Sequence, residues 1–282
     1  MTKSATATPC LNFLNKMETE IKRIITDSFG MRYFCFGSGD KALVILPGLS
    51  VQSVMDSADA VEQQYADMAQ EFTIYVFDRR ETLPDEYGIC DMALDTAKAI
   101  DALGLKDLYL FGASQGGMIA IQIAIERPEM IKKLVLGSTA ARVTAERFAV
   151  LNKWIELAKQ QKGRELYLSF GEAIYPKAIF EQYIGVLGAL GETVTADEFR
   201  RFITLANGAK GFDAVDRLAE IQCPVFVIGA ADDKVLGEKA AQEIAEKLKE
   251  KPDFRLHIYD GYGHAAFDTA PDYRQRMMDF FK

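Results

Sequence analysis

The chain has 282 residues, 49% hydrophobic and 26% charged, with a formal net charge of −8. That size suits one large domain or a core with a modest insertion, and the balance is that of a soluble globular protein. The negative charge argues against nucleic acid or an anionic membrane as a partner, and no run reaches the roughly 18 to 20 apolar residues of a membrane span.

Met1 to Pro9 carry Lys3 with no apolar stretch after it, so no secretory signal is expected. Cys10, Cys35, Cys90 and Cys223 lie far apart without Cys-x-x-Cys spacing, which predicts reduced thiols in a cytoplasmic protein. With two histidines and no His-Glu-x-x-His pair, neither a metal nor a cofactor is expected. Ile21 to Ile25 and Met31 to Phe36 read as strands, and Gly37-Ser38-Gly39-Asp40 as a turn. Lys41 to Leu46 is a buried strand ended by Pro47-Gly48. Ala58 to Gln70 has helical spacing, Phe72 to Phe77 is the next buried strand, and Tyr87 to Leu103 is a helix stopped by Gly104.

Leu108 to Phe111 is a short apolar run suited to a strand buried on both faces. After Gly112-Ala113-Ser114-Gln115-Gly116-Gly117 comes Met118 to Ile125, apolar nearly all round and stopped at Arg127-Pro128. Ile131 to Leu136 is another strand. From Ala141 to Gly211 the pattern is helical and rich in aromatics. Strand spacing returns at Cys223 to Ile228, followed by a helix from Glu238 to Lys251, a strand from Phe254 to Tyr259 and a helix from Asp272 to Phe281. This alternation predicts an α/β fold, a mostly parallel sheet with helices on both faces. Residues 1–140 and 212–282 would form its core, and 141–211 an inserted, all-helical lid.

Ser114 stands at the corner between strand and helix, with Gly112 and Gly116 where a Cβ would obstruct a sharp turn. Gly-x-Ser-x-Gly in that context resembles the nucleophile elbow of the α/β-hydrolase superfamily, in its serine-nucleophile branch with a helical lid. The resemblance covers nearly the whole alternating pattern. It implies a Ser-Asp-His triad in that chain order. His257 alternates with Phe254, Leu256 and Ile258 inside a strand, whereas His264 follows that strand in a loop at the carboxyl end of the sheet, so His264 is the expected base. By the family's spacing after Gly229, the acid is Asp232, with neighbouring Asp233 as the alternative. The oxyanion donors would be the backbone N–H groups of Gln115 and of Leu49, the latter in Pro47-Gly48-Leu49, where relatives have His-Gly-x. Asp78 and Arg80 match part of an Asp-x-Arg-Gly-x-Gly stretch and read as structural loop residues, the alternative being that Arg80 or Glu81 meets substrate.

The resemblance implies a serine hydrolase that forms an acyl-enzyme on Ser114 from a small or medium carboxylic ester or thioester. Of the aromatics in 141–211, most would form the lid's own core and a few would line a pocket for an apolar acyl group. Other triad chemistries (carbon–carbon bond hydrolase, aminopeptidase, cofactor-free peroxidase) and a slow or non-catalytic small-ligand receptor stay open, as does the oligomeric state.

Overall fold

The computed structural model describes residues 18–282; the expectations for Met1 to Pro9 and for Cys10 lie outside the described residues. Eight strands form one sheet: β1 (Ile21–Ile25), β2 (Gly30–Phe36), β3 (Lys41–Leu46), β4 (Phe72–Arg80), β5 (Leu108–Ala113), β6 (Ile131–Gly137), β7 (Val225–Ala230) and β8 (Phe254–Tyr259). Their order is β1-β2-β4-β3-β5-β6-β7-β8. β2 pairs antiparallel with β1 and β4, and every later neighbour is parallel.

All six residues of β5 and of β7 are buried, as strands covered on both faces must be. Successive side chains alternate between two cores. Val44, Leu46, Leu110, Leu134 and Leu136 join a cluster with residues of α2 (Ile89–Ala102), α3 (Gln115–Glu126) and α8 (Ala240–Leu248). Leu43, Ile45, Phe111, Val135 and Ile228 join the other, against α1 (Ala58–Gln64) and α10 (Tyr273–Phe281). At about 1.5–3 kcal/mol per fully buried large apolar side chain, this two-sided burial sets the register of the central strands.

Several expected boundaries shift. The predicted helix Ala58 to Gln70 ends at Gln64, and a short 3₁₀ turn, Ala66–Met68, follows. β4 runs on through three charged residues to Arg80, because Met31 pairs with Arg80 and the charges find partners inside the fold. β7 runs two residues further than Ile228, to Ala230.

Between β6 and β7 lie four helices, α4 (Ala145–Lys159), α5 (Gly163–Ile174), α6 (Lys177–Glu192) and α7 (Ala196–Asn207). The chain enters and leaves them through a hydrogen-bonded neck, where Val143 N–H donates to Phe212 O and Ala214 N–H to Ala141 O, both at 2.8 Å. Among the described residues, no helix is long and apolar enough to cross a membrane. A further short helix, α9 (Ala266–Thr269), follows β8.

Candidate active site

The turn from β5 into α3 holds Ser114 at φ 53°, a region that costs a side-chain-bearing residue about 1–3 kcal/mol. The strain is held by well-placed bonds: Ser114 N–H donates to Gly137 O at 2.8 Å, and Thr139 Oγ1 to Ser114 O at 2.6 Å. Glycine is required at two neighbours. A Cβ on Gly112 would collide with the Gly116 carbonyl, and one on Gly116 with the carbonyls of Leu46 and Pro47. The start of α3 is thereby seated against the loop after β3, and Gly48 brings that loop onto Ser114, where a Cβ would lie 3.2 Å from the serine Cβ.

His264, 3% exposed, lies between β8 and α9. Gly261 and Gly263 around it take φ of +79° and +63°. Its Nε2 is 2.9 Å from Ser114 Oγ and its Nδ1 is 2.8 Å from Asp233 Oδ2. A carboxylate only accepts, so Nδ1 carries a proton toward Asp233, leaving Nε2 to accept from the serine hydroxyl. His257, in contrast, packs edge-on against Tyr259 at 4.4 Å inside β8.

The spacing-based choice of Asp232 is corrected here. Asp232 accepts from Gly263 N–H at 3.1–3.2 Å and so braces the loop that carries the histidine. Asp233 is the residue that reaches the ring. A count from Gly229 reads spacing alone, whereas the turn after β7 presents Asp232 to Gly263 N–H and Asp233 to His264. Asp233 Oδ1 accepts from Val235 N–H at 2.8 Å and Leu236 N–H at 3.0 Å, locking the side chain inward. Burial alone would raise this carboxyl, but attraction to His264, its hydrogen bond and the two amides hold it below the ordinary carboxylate range.

Above Ser114 and His264 opens a cavity of about 440 Å³. Leu49, Gln115, Val51, Met118, Val235 and Leu236 line it from the sheet side, and Leu151, Trp154, Tyr167, Phe170, Ile174, Tyr175, Leu187 and Leu190 from the helical insertion. Gln115 is the first residue of α3 and Leu49 follows the close-approach glycine, so both expected oxyanion donors border the cavity that Ser114 faces. Of the insertion's aromatics, Trp154 and Phe170 stack at 4.5 Å in the cavity wall, while Phe199 and Phe202 are buried in the core. Tyr183 is 45% exposed. Several bonds tie the insertion to the site: Tyr167 Oη donates to Gln52 Oε1 at 2.7 Å, Gln115 Nε2 to Leu205 O at 2.7 Å, Arg147 Nε to Leu236 O at 2.8 Å, and Ala265 N–H to Ile174 O at 2.9 Å.

Arg79 was not singled out in the sequence. It is 4% exposed, and its Nη2 donates to Pro47 O at 2.9 Å while lying 3.5 Å from Gln115 Oε1. It thus ties the Pro47-Gly48-Leu49 loop to the residue after the serine. Burial pushes its guanidinium down to about 10, still charged at neutral pH. Arg80 instead lies over the Phe29 ring at 5.3 Å and donates to Thr82 O, and Glu81 pairs with Arg23 at 2.7 Å; neither borders the cavity. Asp78 accepts from Ser53 at 2.7 Å and from Arg201 of α7 at 2.8 Å. Nothing in the order Asp78-Arg79-Arg80 marks the middle residue as inward, which is why its role was invisible before the fold.

The eight-stranded sheet, with the serine on its strained elbow and His264 at the same edge, is that of an α/β hydrolase. Residues 88–269 match the family described as serine aminopeptidase, S33, and the chain belongs to that family. It is 26% identical over 234 residues to a protein of Pseudomonas savastanoi pv. phaseolicola named "Putative carbamate hydrolase RutD", a match covering 76% of this chain and 85% of that one. Two solved structures share the fold. One is MGS-M2, an α/β-hydrolase enzyme from a Medee basin deep-sea metagenome library, with TM-score 0.81 and 21% identity over 92% of this chain and 97% of that one. The other is the serine hydrolase CCSP0084 from Cycloclasticus zankles, with TM-score 0.79 and 19% identity over 93% and 98%.

Proposed function

We propose that the chain is a serine hydrolase acting on small or medium carboxylic esters or thioesters with an apolar acyl part, through an acyl-enzyme on Ser114. The observation that carries this is the hydrogen-bonded series Ser114–His264–Asp233, 2.9 Å and 2.8 Å in its two links, opening on an apolar cavity. A serine hydroxyl needs a base to become nucleophilic. In this reading His264 Nε2 takes the hydroxyl proton as Oγ bonds to the substrate carbonyl carbon. Asp233 holds the Nδ1–H tautomer and stabilises the imidazolium. The N–H groups of Gln115 and Leu49 receive the developing oxyanion, a contribution worth about 10²- to 10³-fold per donor. As the tetrahedral adduct collapses, the bond to the leaving alcohol or thiol breaks, and the His264 proton passes to the departing atom. Water, deprotonated by His264 in turn, attacks the acyl-enzyme and frees Ser114.

Residues 141–211 serve as a lid that supplies the acyl wall. The name of the Pseudomonas relative extends the reading to carbamates, whose carbonyl is open to the same attack. The test is labelling with a fluorophosphonate probe together with hydrolysis of p-nitrophenyl butanoate and its dimethylcarbamate counterpart. Rapid labelling and turnover, both abolished in Ser114→Ala, are expected; a folded protein that neither labels nor turns over any of these overturns the reading.

A further inference from the structure

Among the described residues, the buried and half-buried carboxylates are matched. Asp78 has Arg201 and Ser53, Asp95 has Tyr87 and Arg80, Asp233 has His264 and two amides, and Glu243 has Arg147 and Arg142. Asp268, which is exposed to solvent, differs from them. It lies four residues after His264 on α9, and it lines the same cavity as Ser114. Its carboxylate accepts one long hydrogen bond, from Gln64 Nε2 at 3.3 Å, and among the described residues it makes no ion pair. Arg274 is close enough to be felt but does not pair with it or border the cavity. A carboxylate left without a countercharge at the wall of a binding cavity keeps its field for a ligand that enters.

The rest of the wall points the same way. Asp56 is a second carboxylate in the lining, and the lining holds no Lys or Arg. With no base in the lining to cancel them, the two acids give the cavity a negative potential that favours a cation over an anion.

Resting on the hydrolase reading above, we propose that Asp268 makes the cavity selective for substrates that carry a positive charge, a protonated amine or quaternary ammonium, on the part of the molecule held beside α9. Asp268 is then a specificity-determining residue that touches substrate without taking part in bond cleavage. The charged group docks against the free carboxylate oxygens while the reacting carbonyl sits at Ser114.

A matched pair of substrates isolates charge from size. The p-nitrophenyl esters of 4-(trimethylammonio)butanoic acid and of 5,5-dimethylhexanoic acid differ only in nitrogen against carbon at one centre. At pH 7.5 and low salt, the wild-type protein is expected to favour the cationic ester in kcat/KM by about tenfold or more, the scale of a partly desolvated charge contact. In Asp268→Asn the cationic-to-neutral ratio should fall by about tenfold. Should that variant fail to fold, competitive inhibition of the wild type by butyltrimethylammonium, against its neutral isostere 2,2-dimethylhexane, reads the same preference. Turnover of the neutral ester that depends on Ser114 but shows no cation preference, or a ratio that Asp268→Asn leaves intact, overturns this inference alone. Absence of Ser114-dependent turnover of both esters overturns the hydrolase reading and this inference with it.

Discussion

Replacing Asp233 by asparagine, beside the same change at Asp232, tests which of two adjacent acids serves His264. In Asp233→Asn an amide oxygen can still accept from the Val235 and Leu236 N–H groups, so the turn is retained. The NH₂ group then faces His264 Nδ1, which sits 2.8 Å from Oδ2 in the native protein. A donor in that place forces Nδ1 to accept and moves the ring proton to Nε2, the nitrogen that must take the serine proton. Losing the correct tautomer costs about four orders of magnitude in kcat, or about 5 kcal/mol of transition-state stabilisation. Asp232→Asn keeps an acceptor for Gly263 N–H and loses only the charge on bonds already 3.1–3.2 Å long. That difference is about 1 kcal/mol, and hence about fivefold if it passes wholly into the positioning of His264. Steady-state hydrolysis of p-nitrophenyl butanoate should therefore separate the two variants by about three orders of magnitude, with thermal melts showing both folded. A crippled Asp232→Asn beside an Asp233→Asn within tenfold of wild type would refute the reasoning.

Three further outcomes follow from the geometry. His264→Ala should lower ester turnover by several orders of magnitude, while His257→Ala, which removes an edge-strand ring packed on Tyr259, should leave it within a few-fold; equal losses would sink the assignment of the base. Arg79→Met removes the donor to Pro47 O and should reduce kcat by about ten- to a hundredfold through the Leu49 N–H donor, and Arg79→Lys should restore it only in part because the planar fork is lost. The check is affinity for a boronic acid transition-state analogue, which must fall in parallel with kcat. Asp268 links pH to stability: the protein packed about its carboxyl raises it from 3.8 to about 6 although the residue is exposed, so the native state holds that proton more tightly than the unfolded chain does, an effect that solvent screening weakens. The ionised group costs stability above about pH 6, and the cost disappears as pH falls toward 4. Asp268→Asn should melt above wild type at pH 7.5 with the gap closing between pH 6 and 4; a gap that widens in acid contradicts this.

Much of the fold could be read from local pattern. The buried strands β3, β5 and β6 announce themselves as short apolar runs, because a strand covered on both faces needs no polar alternation. α3 is legible for the same reason, being apolar all round up to Arg127-Pro128. β4 was read short. Its last three residues are charged, and only the partners supplied by Ser53, Arg201 and Pro47 make an inward Asp78 and Arg79 tolerable.

The sequence by itself determined the strand-helix alternation, the serine on a turn that only flanking glycines permit, and the histidine beyond the last strand. Each is a local matter of sterics and apolar periodicity, settled within a few residues. Only the tertiary structure decided between Asp232 and Asp233, brought Arg79 to the Pro47-Gly48-Leu49 loop, and left Asp268 without a countercharge in the cavity. Those are questions of what faces a turn across the fold: Asp232 and Asp233 are adjacent in sequence, yet one braces the loop of the histidine and the other meets its imidazole.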